Sequence, residues 1–146
     1  RLRKELGGTM VTGSILDVPS ELAGKTFDYV LLLEVLEHIP HVSTFEALKN
    51  LTSLMKPEGE CVISVPVYED LEEKISRGTN DSHHVRRYTP DILSMELQIA
   101  GLEVVEQQCL YAFRRFYRLK SWISRLTGMR NPNVIIVRAR RAVKHT

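Results

Sequence analysis

Apolar residues fall into two rhythms along this chain. Tyr29 to Leu33 is an unbroken apolar run, and Glu60 to Val65, Leu102 to Leu110 and Val134 to Ala139 are short segments bounded by Gly, Pro or Asn. Such segments predict strands, with the 27–33 strand covered on both faces. Between them the spacing turns helical. From Ser43 to Lys56, Phe45, Leu48, Leu51, Leu54 and Met55 share one side, with Ser43 as N-cap and Glu46 completing a capping box. Thr89-Pro90 opens a second helix that ends at Ala100-Gly101, and Tyr111 to Leu126 forms a third, closed near Gly128. Thr9 to Thr12 predicts a short strand that leaves through the loop 13–19, and Arg1 to Leu6 the end of a helix stopped by Gly7-Gly8. Lys56-Pro-Glu-Gly59 predicts a tight turn, and polar Tyr68 to Ser82 a short helix within a mobile excursion. This alternation implies a largely parallel α/β sheet with helices on its faces.

The chemistry concentrates where the 27–33 strand ends. Glu34, Glu37 and His38 stand at i, i+3 and i+4, one face of a helical turn if a helix begins there. The carboxyl end of a strand is where open α/β sheets bind ligands. Imidazole titrates near working pH, so His38 and His84 are the candidate proton acceptors, while His83 suits a solvated loop. Acids in a helix's first turn are also stabilised by its dipole, a sufficient reason for Glu34 and Glu37. Tyr88 suits either an acceptor pocket or packing beneath a loop.

Composition alters this picture in one respect. The 146 residues suffice for one domain, and 43% hydrophobic with 26% charged content is ordinary for a globular protein. Cys61 and Cys109 lack metal-ligand spacing and suit reduced thiols in a cytoplasmic setting. The net charge of +2 conceals an asymmetry: all 18 acids precede Gln107, while from there onward stand 10 Lys and Arg and no acid. Arg114, Arg118 and Arg125 form one stripe of the 111–126 helix, with Phe113, Phe116, Leu119, Ile123 and Leu126 opposite and Trp122 at the border. That pattern predicts either peripheral contact with an anionic membrane or a packing helix with a solvated basic face. No recognition motif points to nucleic acid.

Four blocks in register resemble the class I S-adenosylmethionine-dependent methyltransferases. Val11-Thr-Gly-Ser-Ile-Leu-Asp-Val-Pro19 resembles the adenine loop, and Phe27 to Pro40 the fourth strand with its following turn. Leu54 to Pro66 resembles the helix–turn–fifth-strand block. His84-Val-Arg-Arg-Tyr-Thr-Pro90 with Ala100-Gly-Leu-Glu-Val104 resembles the later helix and sixth strand. The resemblance implies a Rossmann-like doubly wound sheet, mostly parallel with an antiparallel last strand. The family's glycine-rich cofactor loop and its ribose-binding acid have no counterpart here. Residues 1–146 therefore resemble a partial, N-terminally truncated domain, from the end of its second helix onward.

The same resemblance implies S-adenosylmethionine as cofactor, bound by Ser14, Ile15, Leu16, Leu33 and Glu34, with His38, Glu37 and His84 as catalytic residues. The implied function is methyl transfer to a small-molecule or lipid-like acceptor. One alternative is a non-catalytic remnant serving as an interaction module. Another is a metal-assisted O-methyltransferase for ribose or catechol hydroxyls, with Glu34, Glu37, His38 and His83 or His84 holding Mg or Mn. In the resembled sheet order, 3-2-1-4-5-7-6, the 27–33 strand is left as an apolar edge. The expectation is that strand 9–12 is detached or pairs non-natively, and that the chain self-associates through 27–33.

Overall fold

Four strands and four α-helices carry the residues described by the computed structural model, 8–113 and 116–142. In chain order they are β1 (Phe27–Leu33), α1 (Thr44–Ser53), β2 (Met55–Pro66), α2 (Leu71–Ser76), α3 (Pro90–Ile99), β3 (Leu102–Leu110), α4 (Tyr117–Thr127) and β4 (Val134–Arg141). The predicted helix end at 1–6 and Arg114 lie outside the described residues.

The sheet order is β1-β2-β4-β3, with β1 parallel to β2 and β4 antiparallel to both its neighbours. It is the mostly parallel Rossmann-like arrangement expected, with the last strand, β4, running against the other three. Register explains where the core sits. Leu32 pairs with Ile63, and Ile63 with Val137, so all three point to one side of the sheet. That side meets Leu48 and Leu51 of α1 and Leu93 and Leu97 of α3, all inaccessible to solvent. Truncating any one of these leucines to Ala would cost about 2–5 kcal/mol.

The other side differs from the expectation for β1. Tyr29, Leu31 and Leu33 are exposed while Leu32 is buried, so β1 alternates instead of being covered on both faces. A continuous apolar run cannot by itself distinguish one-sided from two-sided cover. The predicted strand 9–12 does not form; the segment holds only an isolated Ser14–Asp17 bridge and a 3-10 turn at Ser20–Leu22. Lys56 to Gly59 bulges from β2, because Phe27 pairs with Met55 but Tyr29 with Glu60. Gly59 is required there: a Cβ would stand 2.8 Å from the Phe27 carbonyl oxygen.

Capping followed prediction at one helix and not at another. The Thr89 hydroxyl accepts from the Ile92 amide at 3.3 Å, with Pro90 at the first helical position. Ser43 forms no side-chain cap, since a 3-10 turn over His41–Ser43 already leads the chain into α1.

Candidate active site

The turn after β1 is not the single helical face that the spacing suggested. Glu34 takes a left-handed backbone conformation (φ 54°), after which Leu36–His38 closes a 3-10 turn. The Ser64 side chain at the end of β2 secures this shape. The Glu34 amide donates to the Ser64 carbonyl at 3.0 Å, and the Ser64 hydroxyl donates to the Glu34 carboxylate at 2.6 Å. Tyr68 and His83 are also left-handed (φ 56° and 54°), so three strained non-glycine residues border this region. Such positions persist where the surrounding structure over-determines them.

The reversal buries Glu37 and leaves His38 at the surface. The Glu37 side chain is 0% exposed, and neither of its carboxylate oxygens has a hydrogen-bond partner among the described residues. Burial raises its pKa above the usual carboxylate range, and the nearby negative charge of Glu34 pushes the same way, against the lowering effects of its own backbone, His38 and His84. His38 Nε2 lies 3.8 Å from Glu37 Oε1, and the His38 and His84 rings meet edge to face with centroids 4.9 Å apart. One ligand atom from each of Glu37, His38 and His84 lies within 4.8 Å of the others.

His84 arrives from the polar excursion between β2 and α3, which several contacts hold in place. The Val85 and Arg86 amides donate to the Glu37 carbonyl at 3.0 and 3.2 Å. Asn80 brackets the His84 backbone, donating to its carbonyl and accepting from its amide. His84 Nδ1 donates to Glu69 at 2.6 Å, which leaves Nε2 for the site. Glu69 also accepts from Lys74 at 2.6 Å. His83 stays outside: its ring contacts the Asp81 carbonyl, exposed to solvent.

Beside this cluster lies a network that sequence patterning did not identify. The Arg86 guanidinium donates to Thr44, to the Tyr88 hydroxyl and to Glu96, and Tyr88 donates to Glu96 at 3.1 Å. Tyr88 is 1% exposed, so it packs beneath the excursion instead of lining an open pocket. Burial, ahead of the Glu96 charge, pushes its phenol well above the usual range. The available signal was a run of basic residues, Arg86-Arg87, beside an aromatic, which solvated surfaces also show.

The predicted cofactor residues fall in two places, Ser14, Ile15 and Leu16 in the loop before β1 and Leu33 and Glu34 at its end, and of the first three only Ser14 and Ile15 line a pocket. The Leu16 amide donates to the Ser14 hydroxyl, closing a small turn, and Asn50 of α1 donates to the Ile15 carbonyl at 2.8 Å. Ser14 and Ile15, with Val11, Gly13, Val18 and Leu22, line a pocket of about 180 Å³. An apolar pocket of that size suits one flat ring. Leu33, at the end of β1, is 49% exposed and free to meet a ligand. No helix among the described residues is long and apolar enough to cross a membrane.

Comparison with known proteins turns this geometry into a family. Solved structures share the fold. A Burkholderia thailandensis 1,6-didemethyltoxoflavin N1-methyltransferase with bound S-adenosylhomocysteine matches at 18% identity and TM-score 0.62, over 91% of this chain and 50% of its own. A SAM-dependent methyltransferase from Archaeoglobus fulgidus matches at 18% and 0.62, over 90% and 66%. The magnesium protoporphyrin IX methyltransferase of Synechocystis with bound S-adenosylhomocysteine matches at 17% and 0.56, over 90% and 50%. The chain thus spans half to two thirds of these relatives' lengths. No curated protein sequence matches it. A family model described as a methyltransferase domain matches residues 9–107, from the Ser14 turn through β3, and the family's cofactor is S-adenosylmethionine. The chain belongs to this methyltransferase domain family.

Proposed function

We propose that this domain transfers a methyl group from S-adenosylmethionine to a small-molecule or lipid-like acceptor, with His38 as proton acceptor and Glu37 and His84 supporting it. The observation that carries this is the Glu37 carboxylate, fully buried, without a hydrogen-bond partner among the described residues, and clustered with His38 and His84 after the carboxyl end of β1. The cofactor, when bound, supplies an electrophilic methyl for in-line displacement. The chain's own residues position the acceptor and take its proton. His38 is accessible enough to meet an acceptor, and a carboxylate 3.8 Å away stabilises the imidazolium that forms. Glu69 fixes the His84 tautomer and leaves Nε2 free, in a ring that meets the His38 ring edge to face. The Ser14–Leu16 turn and its pocket fit the adenine ring, and Leu33 and Glu34 would border the rest of the cofactor. The relatives named above act on a toxoflavin precursor and a porphyrin, consistent with a small-molecule acceptor. The observed order β1-β2-β4-β3 corresponds to strands 4-5-7-6 of the resembled sheet, which supports a domain read from its second helix onward. The buried, unpaired Cys61 thiol, pushed up to about 11 by burial, suits a reducing, cytoplasmic setting.

Changing His38→Ala should lower kcat by about 10²–10⁴-fold while altering the affinity for S-adenosylhomocysteine less than about threefold. Equal losses in both would return His38 to a structural role. If neither this chain nor one extended upstream binds S-adenosylhomocysteine in a titration, the non-catalytic interaction module replaces the enzyme.

A metal-assisted variant is favoured by one observation, the convergence of Glu37, His38 and His84 on a common point. Their oxygen and imidazole ligands suit Mg or Mn. Glu34 is engaged with Ser64 in this arrangement, so it would have to turn to join them. Calorimetric titration of Mn into the protein and its Glu37→Gln variant decides this; heat that does not depend on Glu37 removes the metal. The exposed row Tyr29, Leu31 and Leu33 supports self-association through β1, which light scattering at increasing concentration would detect.

A further inference from the structure

Helix α4 turns its polar side inward. Ser121 and Ser124 are each 5% exposed, whereas Phe116, Leu119, Trp122, Leu126 and Met129 are between 58% and 73% exposed. At about 3.6 residues per turn, Leu119, Trp122 and Leu126 fall on one side of the helix and the two serines on the opposite side. Surface helices of globular proteins ordinarily do the reverse. Burying the serines has a cost, since the Ser121 hydroxyl has no partner among the described residues. The apolar residues of this helix are therefore not the ones that attach it to the domain.

Its charges indicate what the outward stripe meets. On the helical wheel Arg118 and Arg125 border the stripe on one flank, while Lys120 lies beyond Ile123 on the other, with its ammonium over the Phe113 ring. The bases in and just after the helix are Arg118, Lys120, Arg125 and Arg130, whereas Arg138 and Arg140 of β4 are paired with Glu60, Glu106 and Glu103. A second copy of the chain would bring like charges together around the stripe, which disfavours that occupant. Nucleic acid would satisfy the bases but leave the apolar residues uncovered. An interface between anionic headgroups and acyl chains satisfies both, with bases at the phosphates and Leu, Trp and Phe below them.

We infer that α4 is an in-plane anchor, laying the stripe from Phe116 to Met129 into the surface of a bilayer that carries anionic lipid. The contact is peripheral, because no helix among the described residues is long and apolar enough to span. It stands independently of methyl transfer, and it would bring the domain to a lipid-like acceptor if one is used.

Trp122 is the chain's single tryptophan, so its emission reports on the stripe directly. The probe is phosphatidylcholine vesicles in which one third of the lipid is phosphatidylglycerol. Adding them to the full chain should shift Trp122 emission to the blue and carry the protein into the vesicle pellet, with binding lost at high salt. The variants Arg118→Glu and Leu119→Ser/Leu126→Ser should each lower the partition coefficient at least about tenfold, since one basic residue near an anionic surface contributes roughly fivefold and its reversal adds repulsion of the same order; Lys120 is left unchanged because its ammonium lies over the Phe113 ring. Both should melt at the same temperature as the parent, because the altered side chains face outward. Arg125 is left unchanged because its guanidinium also holds the Cys109 carbonyl. Three results would each overturn the anchor. One is no emission shift with anionic vesicles; another is an equal shift with pure phosphatidylcholine that survives charge reversal. The third is emission already blue in buffer and dependent on protein concentration, which assigns the stripe to a second copy.

Discussion

Glu37 and Glu96 are both buried glutamates beside the same short segment, yet their surroundings differ. Glu96 of α3 is 5% exposed, and both of its carboxylate oxygens are engaged, one by Arg86 and the other by the Tyr88 hydroxyl. Glu37 is 0% exposed and neither oxygen is engaged. Arg86 makes the distinction. Its amide donates to the Glu37 carbonyl while its guanidinium turns away to Glu96, Thr44 and Tyr88. One carboxylate is thereby neutralised as part of the fold, and the other is left without a hydrogen-bond partner among the described residues, its pKa raised by burial. A buried acid without a hydrogen-bond partner among the described residues is what the role proposed for Glu37 requires.

The largest expected effect tests the neutralised side. Arg86→Met should cost about 3–5 kcal/mol of stability in urea unfolding, because Glu96 is then left buried and uncompensated. Adding Glu96→Leu to that variant should recover most of the loss, since replacing a buried ion pair by apolar groups of similar volume is often close to neutral. If the single change costs under about 1 kcal/mol, the pair is not the support for the excursion that this contrast requires.

A smaller effect of opposite sign tests Glu37. Glu37→Leu should raise stability at neutral pH by about 1–3 kcal/mol while abolishing turnover, because it removes an unsatisfied buried polar group. The pH dependence follows from the direction of its shift. With a folded pKa above the unfolded one, the folded state binds the extra proton, so parent stability falls as pH climbs from the ordinary carboxylate range through the raised value. The gain from Glu37→Leu should therefore be smallest in acid, grow across that window and level off above it. A gain that is flat with pH would mean that Glu37 does not titrate as its burial requires.

How much of this contrast the sequence carries depends on range. The strands β1, β2, β3 and β4 are local apolar patterns, and their positions were readable from them. Glu37, His38 and His84 could be nominated from their place after β1 and in the 84–90 block. Their meeting could not be derived from helical spacing, because Glu34 is left-handed and breaks the turn that the spacing assumed. The pairing of Arg86 with Glu96 joins residues from a loop and a helix, which no periodicity encodes. Helix α4 shows the same limit differently: the pattern defines two faces, and only the packing of Ser121 and Ser124 decides which is inward. Strand 9–12 failed because a β pattern needs a neighbouring strand, and none pairs with it among the described residues.

The smallest effect comes from Glu69, which sits between the two extremes as a partly buried acid that accepts from both Lys74 and His84. Burial pushes its pKa up, but the hydrogen bonds from Lys74 and His84 outweigh that and hold it below the usual range. Its contribution therefore runs opposite to that of Glu37: present above the ordinary carboxylate range, and lost as pH falls through the lowered folded value. Glu69→Gln should cost about 1 kcal/mol at neutral pH, since the amide keeps one acceptor but loses the charge, and the difference from the parent should vanish in strong acid. Stability alone would not separate this from an ordinary surface pair. The discriminating measurement is kinetic, because Glu69 reaches the site only through the tautomer of His84. If His84 must present its free nitrogen toward His38, Glu69→Gln should lower kcat and move the acid limb of its pH profile while leaving KM nearly unchanged. A variant with the expected loss of stability and an unaltered pH profile would confine Glu69 to holding the excursion in place, and would leave His38 and Glu37 to manage the proton without His84.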